Sequence, residues 1–542
     1  MRVNCVWRPA ITAFLRAGAI AMAVLLAGCA NRGGIEPDRH HAGASLGSVD
    51  FPITCPEQAQ AEFNRGIALL HHMTYPQARE TFGRVASIDP GCAMAQWGIA
   101  MTLFQPLWPT RPGPEALQRG WDAVQKAKEL QPPTQRERLF IASAEAFFLD
   151  PASPDYWLRI RRWEKAMEHV YVSLPNDSEA AAFYALAHLA TASSGATMRA
   201  HADRAAEILA DVYARNPDHP GAMHYLVHAN DVPGRERESL EITRKYDAAA
   251  PRNPHALHMP THIYTRLGEW DDVISGNLRA ADAALEHPAG EHGEFVWDEF
   301  PHAIEYLVYA YLQKGMDDAA AAQLKRLLST GHLEPTFKTA FHLASTQARY
   351  ALERQAWSEA ASLVAREPAV LDWNRFAWPE AIAHFARGLG AARLGDFREA
   401  RAAGERLEIL EAATRNAGED LFATNIRLLR LELNAWVAHA EGEGQAGIAF
   451  MRQAAELEAT TPKHAVTPAP TLPAEELLGD MLIEQARPAE ALAAYRRALD
   501  LYPGRFNSLL GAARAARAVG DEALAQSFYQ KLPETPFDPS GR

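Results

Sequence analysis

The sequence predicts an all-α protein, built as a solenoid of stacked helical hairpins. Alanine-rich amphipathic segments run from Gln58 to Leu532, and no convincing alternating strand pattern interrupts them. Pro, Gly, Asp and Asn separate these segments, as expected where helices start and stop. The chain has 542 residues, which is more than one compact domain needs. A solenoid accommodates this length because each hairpin buries its apolar face only against its neighbours.

The hairpins have the features of the tetratricopeptide repeat (TPR), a pair of antiparallel helices of about 34 residues. Such a unit has small residues where its helices cross, an aromatic residue in its second helix and a proline at its end. One segment near each end of the chain follows this pattern, namely Gly66, Ala78, Phe82 and Pro90, and Gly479, Ala491, Tyr495, Ala498 and Pro503. These matches predict a TPR-like architecture.

Residues 1–28 are expected to be a lipoprotein signal peptide. Arginines precede an apolar run that is too short to span a membrane stably, and the run ends in Leu26-Ala-Gly-Cys29. This tetrad resembles the bacterial lipobox, which implies lipidation of Cys29. A plain secretory signal is the alternative. Ala30 follows the cysteine in place of Asp, which in Gram-negative lipoproteins suggests the outer membrane. The expected location is therefore the cell envelope, facing the periplasm, with membrane contact only through the lipid.

Changes in composition divide the rest of the chain. Residues 29–50 contain Gly, Pro, Ser and Ala and are expected to form a flexible tether. The solenoid with a histidine-lined groove is assigned to 51–460. A Pro-rich loop, 461–473, is expected to separate it from C-terminal TPR units at 474–532, and 533–542 are expected to be a disordered tail.

The net charge and the absence of certain motifs limit the classes of partner that the protein can have. The net charge is −13, which argues against nucleic acid, because phosphate contacts need clustered Lys and Arg. The sequence contains no P-loop, no Rossmann glycine fingerprint and no Gly-x-Ser-x-Gly elbow. The expected partner is a protein, a peptide or a polar ligand in the concave groove of the solenoid.

Two cysteines, Cys55 and Cys92, remain after the signal peptide and Cys29 are set aside. Each lies just before the first helix of a predicted unit, and equivalent ends of stacked helices are neighbours. A disulfide is therefore expected in an oxidising periplasm, where it would contribute roughly 3–4 kcal/mol. Two small buried thiols are the alternative.

Histidines form the most informative pattern in the sequence. His224 and His228 are repeated 34 residues later as His258 and His262. Positions within each unit are numbered from the proline that ends the preceding or the same unit. On this numbering, the histidines and Asp231 occupy positions 2, 5, 9 and 12 of the first helix of their units. Residues at these positions form one stripe along that helix. In TPR folds that stripe lines the concave groove. The stripe and its continuation in the next unit comprise His224, His228, Asp231, His255, His258, His262, His302 and Glu305.

Three local features accompany this stripe. Pro260 lies within the histidine-bearing helix, where it should kink the helix and free the carbonyl of Ala256. Either this helix starts late or a strained site is built here. An acidic insertion at 287–299 could fold over the groove. His342 continues the stripe in a further unit, whereas His71 and His72 read as ordinary turn, core or loop residues.

Three interpretations of the stripe remain open. The histidines could bind zinc or another transition metal through His224, His228, His258 and His262, with Asp231 or Glu305 as a ligand or as an orienting residue. They could instead hydrogen-bond a polar ligand or a peptide. They could also bond only to each other, to the backbone and to water.

The two histidine blocks resemble those of a group of largely uncharacterised bacterial TPR proteins. The similar segments are His219-Pro-Gly-Ala-Met-His-Tyr-Leu-Val-His-Ala-Asn-Asp231 and Asn253-Pro-His-Ala-Leu-His-Met-Pro-Thr-His-Ile263. The resemblance covers about residues 50–350. It implies the TPR fold and marks five histidines, His224, His228, His255, His258 and His262, as the signature of the group. Glu305 stands where that group has Asp. The resemblance implies no particular activity.

The sequence thus predicts an envelope-anchored TPR module for binding or assembly, whose histidine-rich groove holds a ligand. The alternative is a metal-dependent enzyme that uses the same cluster. Such an enzyme would need an open coordination position and a base such as Glu305 near a bound water.

Overall fold

The structure is a computed structural model that describes residues 45–192, 195–290 and 292–533. The predicted signal peptide, the lipidation site Cys29 and residues 534–542 of the predicted tail lie outside these ranges. Within them, antiparallel helical hairpins follow one another from end to end. The predicted all-α, TPR-like solenoid is confirmed. None of the described helices is long and apolar enough to cross a membrane.

The helices are given in chain order. The first group is α1 (Glu57–His71), α2 (Tyr75–Ile88), α3 (Ala93–Met101), α4 (Pro114–Glu129), α5 (Gln135–Phe148), α6 (Tyr156–Ser173), α7 (Ser178–Ala190) and α8 (Gly195–Arg215). The second group is α9 (Pro220–Asn230), α10 (Leu240–Ala249), α11 (Pro254–His258), α12 (Pro260–Leu267), α13 (Trp270–Leu285), α14 (Glu299–Gln313), α15 (Asp317–Ser329) and α16 (Phe337–Glu353). The third group is α17 (Trp357–Ala361), α18 (Ala377–Leu394), α19 (Phe397–Asn416), α20 (Asp420–Ala440), α21 (Gly444–Thr460), α22 (Ala474–Glu484), α23 (Pro488–Leu501), α24 (Phe506–Ala518) and α25 (Glu522–Tyr529). A 3₁₀ turn, Trp373–Arg375, precedes α18.

Close packing around aromatic side chains explains the small residues of the repeat pattern. Phe82 on α2 lies against Gly66 and Gly98, where a Cβ atom would approach its ring to 2.6 and 2.4 Å. Tyr495 on α23 lies in the same way between Gly479 and Gly511. These contacts are shorter than van der Waals packing allows, so only glycine fits. The small residues of the pattern are therefore the positions at which one aromatic ring packs between the first helices of two successive units.

The histidine-bearing segment after Asn253 is divided into two helices. The Asn253 side chain accepts a hydrogen bond from the amide of Ala256 and caps α11, and Pro254 occupies the first helical position. Pro260 has no N–H to continue the hydrogen-bond ladder, and α12 begins there. The segment is thus divided at Pro260, and the histidines lie on two short helices.

The acidic insertion differs from the all-helical expectation. Its residues form a short antiparallel hairpin, β1 (Pro288–Ala289) and β2 (Phe295–Val296), and Val296 also bridges Leu333. Glu299, at the end of the insertion, begins α14.

The Pro-rich loop 461–473 does not hold the C-terminal units apart from the solenoid. Val466, Ala469 and Leu472 are buried. Arg349 on α16 donates hydrogen bonds to the carbonyls of Pro470 at 2.7 Å and Ala469 at 2.8 Å. The loop therefore packs along the row of first helices, on the side where an open groove was predicted.

Contacts between distant units also close this side of the solenoid. Arg111 donates to Glu419 through Nε and Nη2, each 3.1 Å from a carboxylate oxygen. These two residues are 308 positions apart in the sequence. The same guanidinium lies 3.9 Å above the ring of Tyr156. Superhelical closure and the loop 461–473 therefore enclose the stripe that was predicted to line the concave groove.

The segment before α1 is bound to the solenoid. Cys55 and Cys92 are joined by a disulfide, which ties the start of α1 to the start of α3. Residues 45–50 of the predicted tether are also attached, since the amide of Ser48 donates to the carbonyl of Asp218 at 2.8 Å and Leu46 accepts from His72. The folded body therefore starts before residue 51.

Candidate metal centre

Six histidines meet on three consecutive first helices. They are His224 and His228 on α9, His255 and His258 on α11, His262 on α12 and His302 on α14. All except His228 are at most 2% exposed. The i, i+4 spacing that suggested a groove stripe does bring these side chains together, but enclosure by other units makes the cluster part of the interior.

The first three imidazoles converge through their Nε2 atoms. Nε2 of His224 lies 3.0 Å from Nε2 of His255 and 3.1 Å from Nε2 of His228. Nδ1 of His224 donates to the carbonyl of His71 at 2.6 Å, and Nδ1 of His255 lies 3.3 Å from the Glu299 carboxylate. Because a carbonyl only accepts, the His224 contact places the proton of His224 on Nδ1 and leaves a lone pair on its Nε2. Nδ1 of His255 lies within ion-pair distance of Glu299 without forming a hydrogen bond. We call His224, His228 and His255 the first triad.

His258, His262 and His302 form the second triad. Nε2 of His258 lies 3.0 Å from Nε2 of His262. Nδ1 of His258 donates to the amide oxygen of Asn277 at 2.7 Å, and the Asn277 amide nitrogen is held by the carbonyl of Val273. One nitrogen from each ring of the triad lies within 4.8 Å of the other two. The second triad therefore repeats the geometry of the first, one unit further along.

A carboxylate orients His262 in this triad. Nδ1 of His262 donates to Asp231 at 2.9 Å, and Asp231 also accepts from Arg266 at 2.5 Å and Lys463 at 2.8 Å. Burial alone would raise the pKa of Asp231, but the Lys463 and Arg266 charges hold the pKa well below its ordinary value. Asp231 is thus an ionised acceptor behind His262, and it does not face the triad as a ligand.

A longer relay orients His302. Glu305 accepts from Nδ1 of His342 at 2.5 Å, and Nε2 of His342 lies 2.9 Å from Nδ1 of His302. Since Glu305 can only accept, His342 carries its proton on Nδ1, and its Nε2 must accept from His302. Nε2 of His302 is then left as a lone pair, and it has no hydrogen-bond partner in the described structure. Glu305 therefore orients His302 indirectly, through His342.

Burial keeps these imidazoles neutral. It lowers the pKa of His224, His258 and His302 well below the ordinary value of 6.5, and neighbouring imidazoles lower it further. The pKa of His262 is lowered by burial to about 4, although Asp231 opposes this shift. Protonation is consequently disfavoured at neutral pH.

The contact between His258 and His262 leaves no proton to share. Both rings use Nδ1–H to donate, to Asn277 and to Asp231, so both Nε2 atoms present lone pairs to each other at 3.0 Å. A hydrogen bond would require a second proton on one ring, which burial disfavours. Two lone pairs at this distance in a dry interior repel each other unless a cation lies between them.

A third histidine group, His71 and His219, lies around Glu179. His71 uses Nε2 toward Glu179 at 2.8 Å and Nδ1 toward the Tyr225 hydroxyl at 3.0 Å. His219 accepts from the Ala222 amide through Nδ1 and caps α9, while its Nε2 lies 3.3 Å from Glu179. Both ring nitrogens of His71 thus have a protein partner, whereas Nε2 of His219 is buried near Glu179 without a hydrogen bond.

Charged and aromatic residues surround the first triad. Lys338 is ion-paired with Glu299, and its ammonium lies 3.7 Å from the centre of the Trp108 ring. The same tryptophan packs against His255, with ring centres 5.1 Å apart. Burial would raise the pKa of Glu299, but Lys338 and His255 keep that pKa low. Glu299 therefore remains an anionic acceptor behind His255.

A cavity of about 120 Å³ reaches the first triad from the side of the Arg111–Glu419 pair. Its lining includes His228, Asp231 and Lys463, together with aromatic side chains such as Trp108. His228 is the triad member with partial exposure. A small molecule could thus approach the first triad at His228.

The structure brings all eight predicted site residues into one assembly, but their roles differ. The six histidines face one another, whereas Asp231 and Glu305 lie behind them as orienting residues. Sequence reasoning missed the orienting roles of Asn277, Glu299 and the His71 carbonyl. It also missed Lys463, because the loop that carries Lys463 returns from a unit far along the chain. Only His342 had a signal in the sequence, its place in the stripe.

The known proteins that resemble this chain do so at low sequence identity. No protein-family model and no curated protein matches the chain. Among solved structures, a human IFIT1 dimer with m7Gppp-AAAA is 12% identical over 81% of this chain and 89% of that chain, with a TM-score of 0.38. A human IFIT1 dimer with PPP-AAAA is 15% identical over 74% and 73%, with a TM-score of 0.30. Neither likeness bears on the histidine site.

Proposed function

We propose that this protein binds transition-metal ions, one at each histidine triad. The observation that supports this most directly is the pair of facing lone pairs on His258 and His262 at 3.0 Å. A metal ion is the cation that neutral imidazoles bind, and ligating histidines usually donate their other N–H to a carboxylate or a carbonyl. His224, His258 and His262 have such an acceptor at Nδ1, and Nδ1 of His255 lies 3.3 Å from the Glu299 carboxylate.

The spacing agrees with a tetrahedral ion. Bonds of about 2.0–2.1 Å from zinc to nitrogen place tetrahedral ligand atoms roughly 3.3 Å apart. The Nε2–Nε2 distances of 3.0 and 3.1 Å in the first triad are close to this ligand–ligand distance. Imidazole suits zinc, copper, iron and nickel, so the donor set selects this group of metals over magnesium or calcium.

Three protein ligands leave a fourth position, and the two triads differ in access to it. The cavity at His228 would supply a water or a small ligand to the first triad. The second triad is enclosed by Tyr306, whose ring centre lies 4.6 Å from that of His258. The first site is therefore proposed as the reactive or exchangeable one, and the second as the structural one.

Ligand binding is favoured over metal-dependent hydrolysis. Glu305, the base that hydrolysis was expected to use, is fully buried and accepts from His342, Ser345 and Arg349. Asp231, which lines the cavity, is occupied by His262, Arg266 and Lys463. Neither carboxylate is free to take a proton from a bound water.

Metal analysis tests this proposal. Protein purified without an affinity tag from zinc-replete medium should contain two ions per chain, and His224→Gln and His258→Gln should each contain one. His72→Gln is the matched control, because His72 is also fully buried but bonds to Tyr246 and to the carbonyl of Leu46. This control should lose stability and keep both ions. At a free zinc concentration 100-fold above Kd, each ion should stabilise the fold by about 2.7 kcal/mol.

Two results would contradict the proposal. One is a wild-type protein that carries no metal and whose melting temperature does not change with chelator or with added zinc. The other is metal loss in the control equal to that in the triad variants, since this would tie metal content to general destabilisation.

We further propose that the chain is anchored in the bacterial envelope through Cys29, and that the metal centre works in the periplasm. Support comes from the apolar run that ends in Leu26-Ala-Gly-Cys29 and from the disulfide, which suits an oxidising compartment. Cys29→Ser should abolish lipid labelling and leave uncleaved precursor. Unchanged mass and unchanged membrane fractionation of this variant would overturn the anchoring proposal.

A further inference from the structure

A second cavity, of about 110 Å³, lies on the other side of the loop 461–473. It is lined by side chains of α16, α18, α20 and α21 together with the loop itself, and Lys463 and His464 line both this cavity and the one at His228. No histidine of the two triads lines it. The cavity is therefore separate from the metal centre.

A buried carboxylate without a partner points into this cavity. Glu432 on α20 is 2% exposed, and its Oε2 atom is enclosed without a hydrogen bond. Among the described residues, none donates a hydrogen bond to Glu432 or forms an ion pair with it. Buried carboxylates in native proteins are almost always paired, because an isolated charge is costly to desolvate. An unpaired one therefore calls for an explanation.

A second carboxylate, Glu458 on α21, lines the same cavity. It accepts from the amide of Ala474 at 3.2 Å and from the hydroxyl of Tyr502 at 3.3 Å. Burial raises the pKa of Glu458 to about 7, and burial together with Glu458 raises the pKa of Glu432 well above its ordinary value. Glu458 thus makes Glu432 harder to ionise, and a cation between the two carboxylates would favour the ionised form of both.

The basic residues that line the cavity do not serve as this cation. Arg266 and Lys463 are both bound to Asp231. His464 is held neutral, since burial and the nearby Arg111 charge lower its pKa to about 3. Among the described residues that line the cavity, no basic side chain thus pairs with Glu432.

The remaining walls are apolar and aromatic. Phe341, Trp378, Leu428 and Leu429 line the cavity beside the two carboxylates. Aromatic faces attract ammonium groups, and apolar walls accept a short hydrocarbon body. Size and lining therefore fit a small organic cation better than a hydrated metal ion.

We infer that this cavity is a binding site for a small primary amine, whose ammonium lies between Glu432 and Glu458 and whose apolar body lies against Trp378. The ammonium supplies the hydrogen bonds that Glu432 lacks, and two carboxylates can accept its three donors. The inference rests on Glu432 and the cavity, and it holds whether or not the triads bind metal.

A pair of probes that differ only in charge tests the inference. Binding of n-butylamine and of its uncharged analogue n-butanol is measured by saturation-transfer NMR at pH 7.5 on the full chain. The amine should bind at least tenfold more tightly than the alcohol. Glu432→Gln, which keeps the shape of the side chain, should weaken amine binding at least tenfold and leave alcohol binding unchanged.

Two further variants separate the site from general effects. Glu458→Gln should also weaken amine binding, whereas Glu408→Gln, which removes an exposed carboxylate from α19, should not. Thermal melting verifies that each variant is folded. Equal binding of the two probes, absence of binding by either, or amine binding that survives Glu432→Gln would each overturn the inference.

Discussion

Acidification to about pH 4–5 is expected to unfold the metal-free protein. The cause is a set of buried histidines, each at most 2% exposed, whose pKa values burial lowers. They are His71, His72, His224, His258, His262, His302 and His342. The pKa of His72, for example, is lowered to about 3. Each of these rings is neutral in the folded protein under conditions in which it would be protonated in the unfolded chain.

The sign of the effect follows from proton uptake. Below the ordinary histidine pKa of 6.5, the unfolded chain binds protons that the folded protein does not bind, so stability falls as pH decreases. Each group costs about 1.4 kcal/mol per pH unit until its folded-state pKa is reached. Several such groups acting together therefore remove a large part of the roughly 5–15 kcal/mol by which a typical protein is stable.

Carboxyl groups with raised pKa values oppose this trend. They are Glu334, Glu432, Glu458 and Asp480. The folded protein protonates them more readily than the unfolded chain does, so their contribution to stability grows as pH falls. That gain ends near the ordinary carboxyl pKa, whereas the loss from histidines with folded-state pKa values of about 3–4 continues below it.

Circular dichroism against pH, in the presence of chelator at 25 °C, checks this expectation. His72→Gln should reduce the steepness of the transition by about one proton, because it removes one titrating group. A metal-free protein that remains folded at pH 3.5 would contradict the account. It would mean that the buried imidazoles accept protons without loss of the fold.

Local sequence determined the hairpins and the clustering of the histidines. The glycines around Phe82 and Tyr495 encode the crossing of neighbouring helices, and Pro260 encodes the break between α11 and α12. A repeat of 34 residues then places equivalent residues of consecutive units side by side, so His224 and His258 could be placed on neighbouring helices from spacing alone. These are short-range relationships, which the sequence shows directly.

Enclosure of the cluster could not be predicted in the same way. It depends on contacts such as Arg111 with Glu419 and Lys463 with Asp231, which join residues hundreds of positions apart. The rise and curvature of a superhelix accumulate over many units, so small differences per unit decide whether the concave side stays open. The predicted stripe therefore comes together as the spacing indicated, but most of its side chains are buried. The role of Glu305 was also beyond the reach of the sequence. It was a candidate base, but its carboxylate accepts hydrogen bonds from His342, Ser345 and Arg349.

Glu305→Gln is expected to remove the metal ion of the second triad while leaving that of the first. In the wild type, Oε1 of Glu305 accepts from Ser345 at 2.6 Å and from Nε of Arg349 at 3.2 Å, and Oε2 accepts from His342. The guanidinium can only donate, so the single oxygen of a glutamine will face Arg349. The glutamine NH₂ group is then directed toward Nδ1 of His342.

This exchange inverts every proton position in the relay. His342 must accept at Nδ1 and carry its proton on Nε2, so Nδ1 of His302 must accept as well. The proton of His302 then moves to Nε2, the atom that the second triad needs as a lone pair. Loss of such an orienting partner typically lowers metal affinity 10–100-fold. Metal content should fall from two ions to one at zinc concentrations that just saturate the wild type.

Glu353→Gln is the matched control, because Glu353 lies on α16, is equally buried and is bound to Arg505 and Asn507 without contacting a histidine. Both substitutions break a buried ion pair and should destabilise the fold, by about 3–5 kcal/mol where a charge is left unpaired. Only Glu305→Gln should change the metal content. If the two variants retain the same number of ions, the relay does not set the tautomer of His302, and Glu305 serves only to neutralise Arg349.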